Sequence, residues 1–441
     1  MQRRDFLRLG AASAGALAFG PDFWRRAYGA PAQPGDGPYG SLAGRAADAN
    51  GIVLPEGFES RLVAQAGQVV PGTGYEWHTF PDGGATYAHD DGGWTYVSNS
   101  EVPGGAGGVG ALRFGPDGEV VGAMRILGDT STNCAGGSTP WGTWLSCEEV
   151  AEGRVWECDP TGERAAEVRP ALGTFKHEAV AVDPDGERLY LTEDEPDGRF
   201  YRFTPRAYPD LTDGVLEVAV VADDAAVTWL EVPSPREWTT PTRAQVPEST
   251  AFDGGEGMWF DSGVVYFTTK GDNVVRGYHA DEERMEVVYD AGILEDPPLT
   301  GVDNVTVAPS GDLFVCEDGA DMQMVLITPD RVVAPFVQVL GQDESEMAGC
   351  AFDPSGRRLY FSSQRGLGGA GATYEITGPF REGEARARPT TTLEAVGAGE
   401  DDGDGGSDVA VPLTIGGIGV GAAALGALAW RSRRTTPPSS S

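Results

Sequence analysis

Residues 132–149 read TNCAGGSTPWGTWLSCEE and bring two cysteines, two adjacent carboxylates and a Gly/Pro/Trp spacer into one short segment. A thiolate suits a transition metal and carboxylates suit a hard cation, so the segment can belong to a metal site. Two cysteines can also close a disulfide loop, and the Gly and Pro residues are typical of a plain structural turn. The segment by itself leaves these three interpretations open.

Polar residues recur at similar places along the chain. In each of six units a turn and an alternating apolar stretch lead to a polar end; these ends are Glu101, Glu149, Asp194, Asn273, Asp318 and Gln364. A second polar cluster lies near the expected start of each unit's inner strand, at residues 74–76, 133–134, 176–178, 255–257, 303–304 and 346–349. Carboxylates that converge repel each other unless cations lie between them, and calcium takes six to eight oxygen ligands. The set therefore predicts a metal site, although any single member can equally be a solvated turn residue.

The elements that carry these residues indicate the fold. Asp-Gly turns flanked by alternating Tyr, Val, Leu and Phe are hairpin signals, and six units with a period of roughly 40–50 residues are typical of a β-propeller. We therefore predict an all-β, six-bladed β-propeller over residues 50–395, with residues 52–64 supplying a strand to the last blade. Inner strands line the channel of a propeller, so their corresponding ends are expected to meet at one mouth.

Composition limits the possible partners. The chain has 67 acidic and 32 basic residues and a formal net charge of -35, which argues against nucleic-acid binding because phosphate recognition needs a basic face. Such a charge suits calcium, salt-rich surroundings, or both. Lysine occurs only at positions 176 and 270. Five cysteines leave at least one unpaired within an exported chain.

The N-terminal sequence predicts export. Its RRDFL motif, followed by a mild Ala/Gly-rich apolar run, resembles a twin-arginine signal, and APA at residues 30–32 offers a cleavage site after Ala32. We predict a signal peptide over residues 1–32. The twin-arginine export machinery then becomes an expected partner, and export in the folded state favours a preloaded metal or other prosthetic group.

The C-terminal sequence predicts a membrane anchor. Residues 396–408 form an acidic, Gly-rich linker, and residues 409–430 form an uncharged run long enough for a bilayer core of about 30 Å. Arginines follow in residues 431–441, which the positive-inside rule assigns to the cytoplasm. The main domain is therefore expected on the outer face of the cytoplasmic membrane.

Five segments together resemble the PhoX-type alkaline phosphatases, a family of exported six-bladed propellers. They are TNCAGGSTPWGTWLSCEE, GTFKHEA, YLTED, VDNVTVAPSGDLFVCEDG and EMAGCAFDPSGRRLYFSSQ, and in this order they cover most of residues 50–380. The resemblance implies phosphomonoester hydrolysis at a cluster of iron and calcium ions in the propeller mouth. The chain departs from the family pattern at Ser100, where the better-known members have histidine, and it is shorter than those enzymes.

The resemblance also implies a set of site residues. Cys134 matches an iron ligand, and Asn304 can offer an amide oxygen to calcium. The matching acids are Glu148 or Glu149, Glu178, Glu193 or Asp194, Asp303, Glu317 or Asp318, and Glu346; the repeat pattern adds Glu101 and Glu256. Cys134, Glu178 and Arg365 are the catalytic candidates, with Arg365 placed to bind phosphate.

Two other functions stay open at this point. Glu256-Gly257 and Asp303-Asn304 also resemble ligands of calcium-dependent lactonase propellers, which need no iron-bound thiolate. Alternatively, the acids bind calcium only to hold the blades of a non-catalytic surface module together. We expect a monomer that acts on a small-molecule phosphoester.

Overall fold

The computed structural model describes residues 30–383 apart from Trp238 and Ala320. Within this range the strands form six sheets, antiparallel apart from one short edge strand, and an inner strand of each sheet contacts the next around a closed ring. The predicted all-β, six-bladed β-propeller is confirmed. The inner strands of blades 3, 5 and 6 are buried along their whole length, because the sheets pack face to face around the axis.

The strands are numbered in chain order. Three precede the first complete blade: β1 (Gln33–Pro34), β2 (Ile52–Val53) and β3 (Glu59–Gln65). Blade 1 contains β4 (Pro81–Ala88), β5 (Trp94–Ser100), β6 (Gly107–Phe114) and β7 (Val120–Thr130), and blade 2 contains β8 (Asn133–Ser138), β9 (Trp144–Glu148), β10 (Val155–Cys158) and β11 (Glu167–Val168). Blade 3 contains β12 (His177–Asp183), β13 (Arg188–Glu193), β14 (Phe200–Ala207), β15 (Asp210–Val221) and β16 (Val227–Glu231).

The remaining blades follow the same order. Blade 4 contains β17 (Gly255–Asp261), β18 (Val264–Thr269), β19 (Val274–His279) and β20 (Arg284–Asp290), and blade 5 contains β21 (Val302–Val307), β22 (Leu313–Glu317), β23 (Gln323–Ile327) and β24 (Val332–Val339). Blade 6 contains β25 (Met347–Phe352), β26 (Arg358–Ser363) and β27 (Ala372–Thr377) together with β3. Short 3-10 turns occur at Pro170–Leu172, Thr242–Ala244 and Ala291–Ile293, and a single helical turn, α1, at Gly366–Gly369.

An early strand closes the ring. β3 pairs antiparallel with β27, with Thr373 opposite Ala64, so a segment from before blade 1 completes blade 6. This confirms the strand donation predicted for residues 52–64. Aromatic contacts reinforce the junction, because the Trp94 indole N–H of blade 1 donates to the Tyr360 hydroxyl of blade 6 at 3.2 Å.

Each inner strand carries an irregularity close to its first residues. The pairing register shifts just after Pro81, Asn133, His177, Gly255 and Val302, and after Ala348 in blade 6. Such bulges bend a strand and re-aim its side chains. All six blades therefore present the first residues of their inner strands to the same mouth in the same manner.

The segment before the ring is docked on blades 4 and 5. β1 runs parallel to β24, and the Ala32 N–H donates to the Val288 carbonyl at 2.7 Å. Ala32 is fully buried. The Tyr39 ring lies 5.2 Å from the rings of both Phe58 and Phe336, which ties this segment to an aromatic cluster.

The targeting predictions lie mostly outside the described residues. The signal peptide up to residue 29, the linker, the apolar run and the basic tail are not described, so they and the predicted domain limits stay predictions. In the part of the chain that the structure covers, no helix has the length and apolar character needed to cross a bilayer.

Replacing Ala32 tests the docking of the N-terminal segment. In the unprocessed chain, which retains Ala32, we expect Ala32→Glu to lower the free energy of unfolding by roughly 3 kcal/mol, because it buries a charge without a partner. The adjacent exposed substitution Gln33→Glu is the matched control and should change it little. Chemical denaturation of both variants measures the difference, and equal stability would show that this segment does not hold the fold together.

Candidate metal centre at the propeller mouth

The six inner strands begin in one register, and their second residues form a ring. The first residues of the strands pair with Ser100, Glu148, Glu193, Thr269, Glu317 and Ser363 of the second strands. The next residue in each blade belongs to what we call the inner ring: Asp82, Cys134, Glu178, Glu256, Asp303 and Ala348. Five of the six blades thus place a carboxyl or thiol at the same position.

A second set of equivalent residues, the outer ring, follows the second strands. Its members are Glu101, Glu149, Asp194, Lys270, Asp318 and Gln364. The backbone N–H of each donates, at 2.7–3.2 Å, to a carbonyl of its own blade. That carbonyl belongs to the residue just before the first residue of the inner strand. In blade 6 that carbonyl belongs to Glu346, whose carboxylate joins the mouth although Ala348 cannot contribute one. The backbone ladder therefore fixes both rings.

Among the residues that the structure describes, four groups of three potential ligand atoms lie within 4.8 Å of one another. They are Cys134–Glu149–Glu178, Asp82–Glu101–Glu346, Glu178–Glu256–Asp303 and Asp303–Asp318–Glu346. Glu178, Asp303 and Glu346 each belong to two groups. The four groups therefore form one connected site rather than separate surface clusters.

Cys134 contributes a thiol to this site. Its Sγ lies 3.3 Å from Glu178 Oε1 and 3.6 Å from Asp82 Oδ2. All five cysteines are free and buried, so a disulfide does not explain the segment that contains Cys134 and Cys147. Cys147 lies in the core between blades 2 and 3, among apolar side chains.

Three cationic side chains reach the same acids. Lys176 Nζ lies 2.8 Å from Glu149 Oε1 and 2.6 Å from Asp194 Oδ2. Lys270 Nζ lies 2.8 Å from Glu256 Oε1.

Arg365 binds Glu101 at 3.1 Å and Glu346 at 3.0 Å. The two rings and Glu346 supply nine carboxyl groups against three cations among the described residues, so full ionisation would leave an excess of six negative charges.

Burial opposes the ionisation of this excess. It raises the pKa of Glu178 well above its usual range, and the neighbouring carboxylates of Glu256 and Glu149 raise it further. Burial likewise raises the pKa of Glu149 to about 8, although Lys176 partly offsets it. The pKa of the Cys134 thiol is raised by burial and by the nearby acids. Without added cations, part of the site is therefore protonated at neutral pH.

Contacts between blades hold the ring backbone in place. The Asn99 amide of blade 1 donates to the Cys134 carbonyl at 2.9 Å. The Thr192 hydroxyl donates to the Glu256 carbonyl at 2.6 Å, and the Thr268 hydroxyl to the Asp303 carbonyl. A second strand of one blade thus fixes the ring residue of the next, which preorganises the ligand atoms.

Three of the sequence-predicted acids do not reach the mouth. Glu148 accepts from the Ser131 N–H and the Trp156 indole, and Glu317 accepts from the Thr300 and Gln323 N–H groups. Glu193 binds the Tyr201 hydroxyl at 2.7 Å and Arg243 at 3.0 Å. Each stands one residue before an outer-ring acid, so strand alternation points it away from that acid.

Asn304 lies beside an inner-ring acid and hydrogen-bonds to it. Its amide donates to Asp303 Oδ1 at 2.9 Å, and its Oδ1 accepts from the Gly349 N–H at 2.7 Å. The side chain therefore positions a ring acid and the backbone of blade 6. Ser100, the departure from the family pattern, donates to the Thr79 carbonyl at 2.8 Å.

Two residues of the site, Asp82 and Lys270, were not predicted from the sequence. The first-blade cluster predicted at residues 74–76 is wrong, because β4 begins at Pro81 and Asp82 holds the inner-ring position. The fourth blade end is Lys270 rather than Asn273, whose Oδ1 accepts from the Gly301 N–H instead. The Asp82-Gly-Gly sequence, which parallels Cys134-Ala-Gly-Gly, is the signal that would have identified Asp82.

The donor set suits metal ions. Glu178 Oε2 is buried and has no hydrogen-bond partner among the described residues, although its carboxylate belongs to two ligand groups, so a bound cation would satisfy it. The thiol beside two carboxylates suits iron, and the all-carboxylate groups suit calcium. The site therefore fits both expected ions by its chemistry.

Comparison with known proteins supports the propeller fold and the PhoX-type resemblance. The family model for "Alkaline phosphatase PhoX" matches residues 88–161 and 150–286. The structure of Pseudomonas fluorescens PhoX in complex with vanadate, a transition state analogue, is 16% identical with a TM-score of 0.63, and the match covers 80% of this chain and 98% of that one. At this identity the likeness shows the fold.

Two more distant propellers also match. A Xanthomonas campestris gluconolactonase is 14% identical with a TM-score of 0.45, covering 79% of this chain and 99% of its own. Regucalcin from Agrobacterium tumefaciens, a calcium-binding protein, is 14% identical with a TM-score of 0.41, covering 74% and 97%. No curated protein sequence matches the chain. The family model spans blades 1 to 4, so this part of the chain is similar to the PhoX alkaline phosphatases, and the structural match shows that the fold is shared around the ring.

Proposed function

We propose that the protein hydrolyses phosphomonoesters outside the cytoplasm with the help of iron and calcium bound at the propeller mouth. The observation that carries the proposal is the contact of the Cys134 thiol with Glu178 inside two rings of buried carboxylates. A calcium-only site has no use for a buried thiolate, whereas iron binds one readily.

The type of each ligand side chain indicates which ion it would bind. Cys134, Glu149 and Glu178 would hold iron, while Asp82, Glu101, Asp303, Asp318 and Glu346 would hold calcium together with Glu256. Such ions, when bound, polarise a phosphoryl group and stabilise its developing charge. Glu178 belongs both to the ligand set that contains Cys134 and to an all-carboxylate set. It would therefore contact both kinds of ion.

Arg365 is placed to orient the substrate. Its side chain is 40% exposed and lies over the mouth between Glu101 and Glu346. A guanidinium binds a phosphate through two parallel hydrogen bonds, which fixes the orientation of the ester. We propose that it changes partners from these carboxylates to the phosphoester when metal ions bind the acids.

The cellular setting is part of the same proposal. The twin-arginine motif and the apolar run at residues 409–430 support export of the folded, metal-loaded chain and its retention at the outer face of the membrane. We propose that it acts there as a monomer on small, soluble phosphoesters.

Replacing Cys134 separates the proposed activity from lactone hydrolysis. In protein purified from a host with twin-arginine export, we expect Cys134→Ser to lose iron and to lower p-nitrophenyl phosphate hydrolysis by about 100-fold or more. Cys147→Ser, a buried control outside the mouth, should keep both. Elemental analysis and steady-state kinetics measure the outcome. A Cys134→Ser protein with unchanged metals and full activity on lactones would favour the lactonase instead.

Adjacent acid positions in blade 3 provide a second test. Glu178→Gln removes a ligand shared by two groups, so we expect both the bound metal content and phosphatase activity to fall. Glu193→Gln removes an acid that binds only Tyr201 and Arg243, so it should change thermal stability but not metal content. Equal metal loss in the two variants would argue against the assignment of Glu178.

The pH dependence of stability tests the need for cations. In the metal-free protein burial raises the pKa of Glu149 to about 8 and that of Asp303 to about 6. Unfolded Asp and Glu ionise near pH 4, so the folded state keeps protons that the unfolded state has released between about pH 4 and 8. The free energy of unfolding therefore falls as the pH rises through this range.

We expect the melting temperature of chelator-treated protein to fall between about pH 5 and pH 8. Added calcium should restore it more at the higher pH, because the ion binds ionised carboxylates. Differential scanning calorimetry at both pH values measures the effect. A calcium shift of the same size at both would contradict the idea that these acids bind the ion.

A further inference from the structure

Lys270 breaks the pattern of the outer ring. The equivalent position is a carboxylate in blades 1, 2, 3 and 5, and the amide Gln364 in blade 6. Lys270 keeps the common backbone arrangement, since its N–H donates to the Gly254 carbonyl at 2.8 Å. Lys270 therefore differs from the equivalent acids in its side chain and not in its backbone arrangement.

The ammonium group lies where a cation would otherwise be needed. Lys270 Nζ is 2.8 Å from Glu256 Oε1 and 3.3 Å from Asp318 Oδ2, and so joins blades 4 and 5. These two acids come from different ligand groups, which share Asp303. Glu178 Oε2, in the same group as Glu256, is buried without a partner, so ligand capacity remains on the side facing blade 3.

The choice of residue supports a role as a point charge. The chain has 32 basic residues, and lysine occurs only at positions 176 and 270, both at this mouth. Arginine is planar and binds carboxylates side-on, whereas an ammonium is compact and can take the place of a spherical ion among converging oxygens. A chain that otherwise uses arginine places both of its lysines among the candidate metal ligands.

We infer that Lys270 is a built-in cation that occupies the Glu256–Asp318 corner and reduces by one the number of metal ions that the mouth binds. This inference rests on the proposed function, because it assumes that the remaining acids bind metal. On this inference, Lys270 in blade 4 sets the number of metal ions that the mouth can bind.

Exchange of Lys270 tests this inference through metal content rather than activity. We expect Lys270→Glu, which restores the carboxylate found in four other blades, to bind about one more calcium ion per chain than the wild type. Lys270→Met should also gain about one ion at saturating calcium, and Lys270→Arg should keep the wild-type number. Equilibrium dialysis with calcium chloride followed by elemental analysis gives the stoichiometry.

Arg243→Met is the matched control for loss of a cation. Arg243 binds Glu193, Glu195 and Asp197 away from the mouth, so its removal should leave the metal content unchanged. Calcium titration of the melting temperature extends the test to poorly folding variants, where the shift should exceed that of the wild type.

The outcomes separate the two proposals. Wild-type protein that binds metal, with Lys270→Glu and Lys270→Met at the same or a lower count, would overturn the role of Lys270 alone. Wild-type protein that binds neither calcium nor iron would overturn both this inference and the proposed function.

Discussion

Repulsion between carboxylates is the constraint on which the mouth depends. Nine carboxyl groups come from six blades, and their burial makes each ionised pair more costly than it would be in water. Folding is compatible with this arrangement because Lys176, Lys270 and Arg365 neutralise part of the charge and raised pKa values keep protons on Glu149 and Glu178. Metal ions would neutralise the rest, and the same electrostatics would then stabilise the site.

The propeller supplies the force that holds these groups together. Each inner strand is buried between neighbouring blades, and β3 closes the ring by pairing with β27. Hydrogen bonds such as that from Asn99 to the Cys134 carbonyl connect one blade to the next at the level of the site. The inner strands therefore cannot move apart to relieve the repulsion between carboxylates unless the core between the blades also opens.

The sequence predicted much of this from periodic features. Turn signals and alternation gave the six blades, the strand that closes the ring, and most blade ends, including Glu101 and Asp318. Which of two adjacent acids faces the mouth was harder to predict. Glu148 and Glu149 are the same residue type, and only the pairing register decides between them. Asp82 was missed because an irregular segment with its own polar cluster precedes β4. Lys270 was missed because an acidic pattern gives no reason to look for a base.

The bulge after the first residues of every inner strand has a consequence for how such a protein can change. It separates the start of the strand, which faces the mouth, from the part that packs between blades. The inner-ring position accordingly tolerates carboxylates of two lengths, a thiol and an alanine within one chain, while the packing below keeps the same form. Substitution at the mouth can therefore alter ligand chemistry with little effect on folding, so the blades allow the site to diversify during evolution.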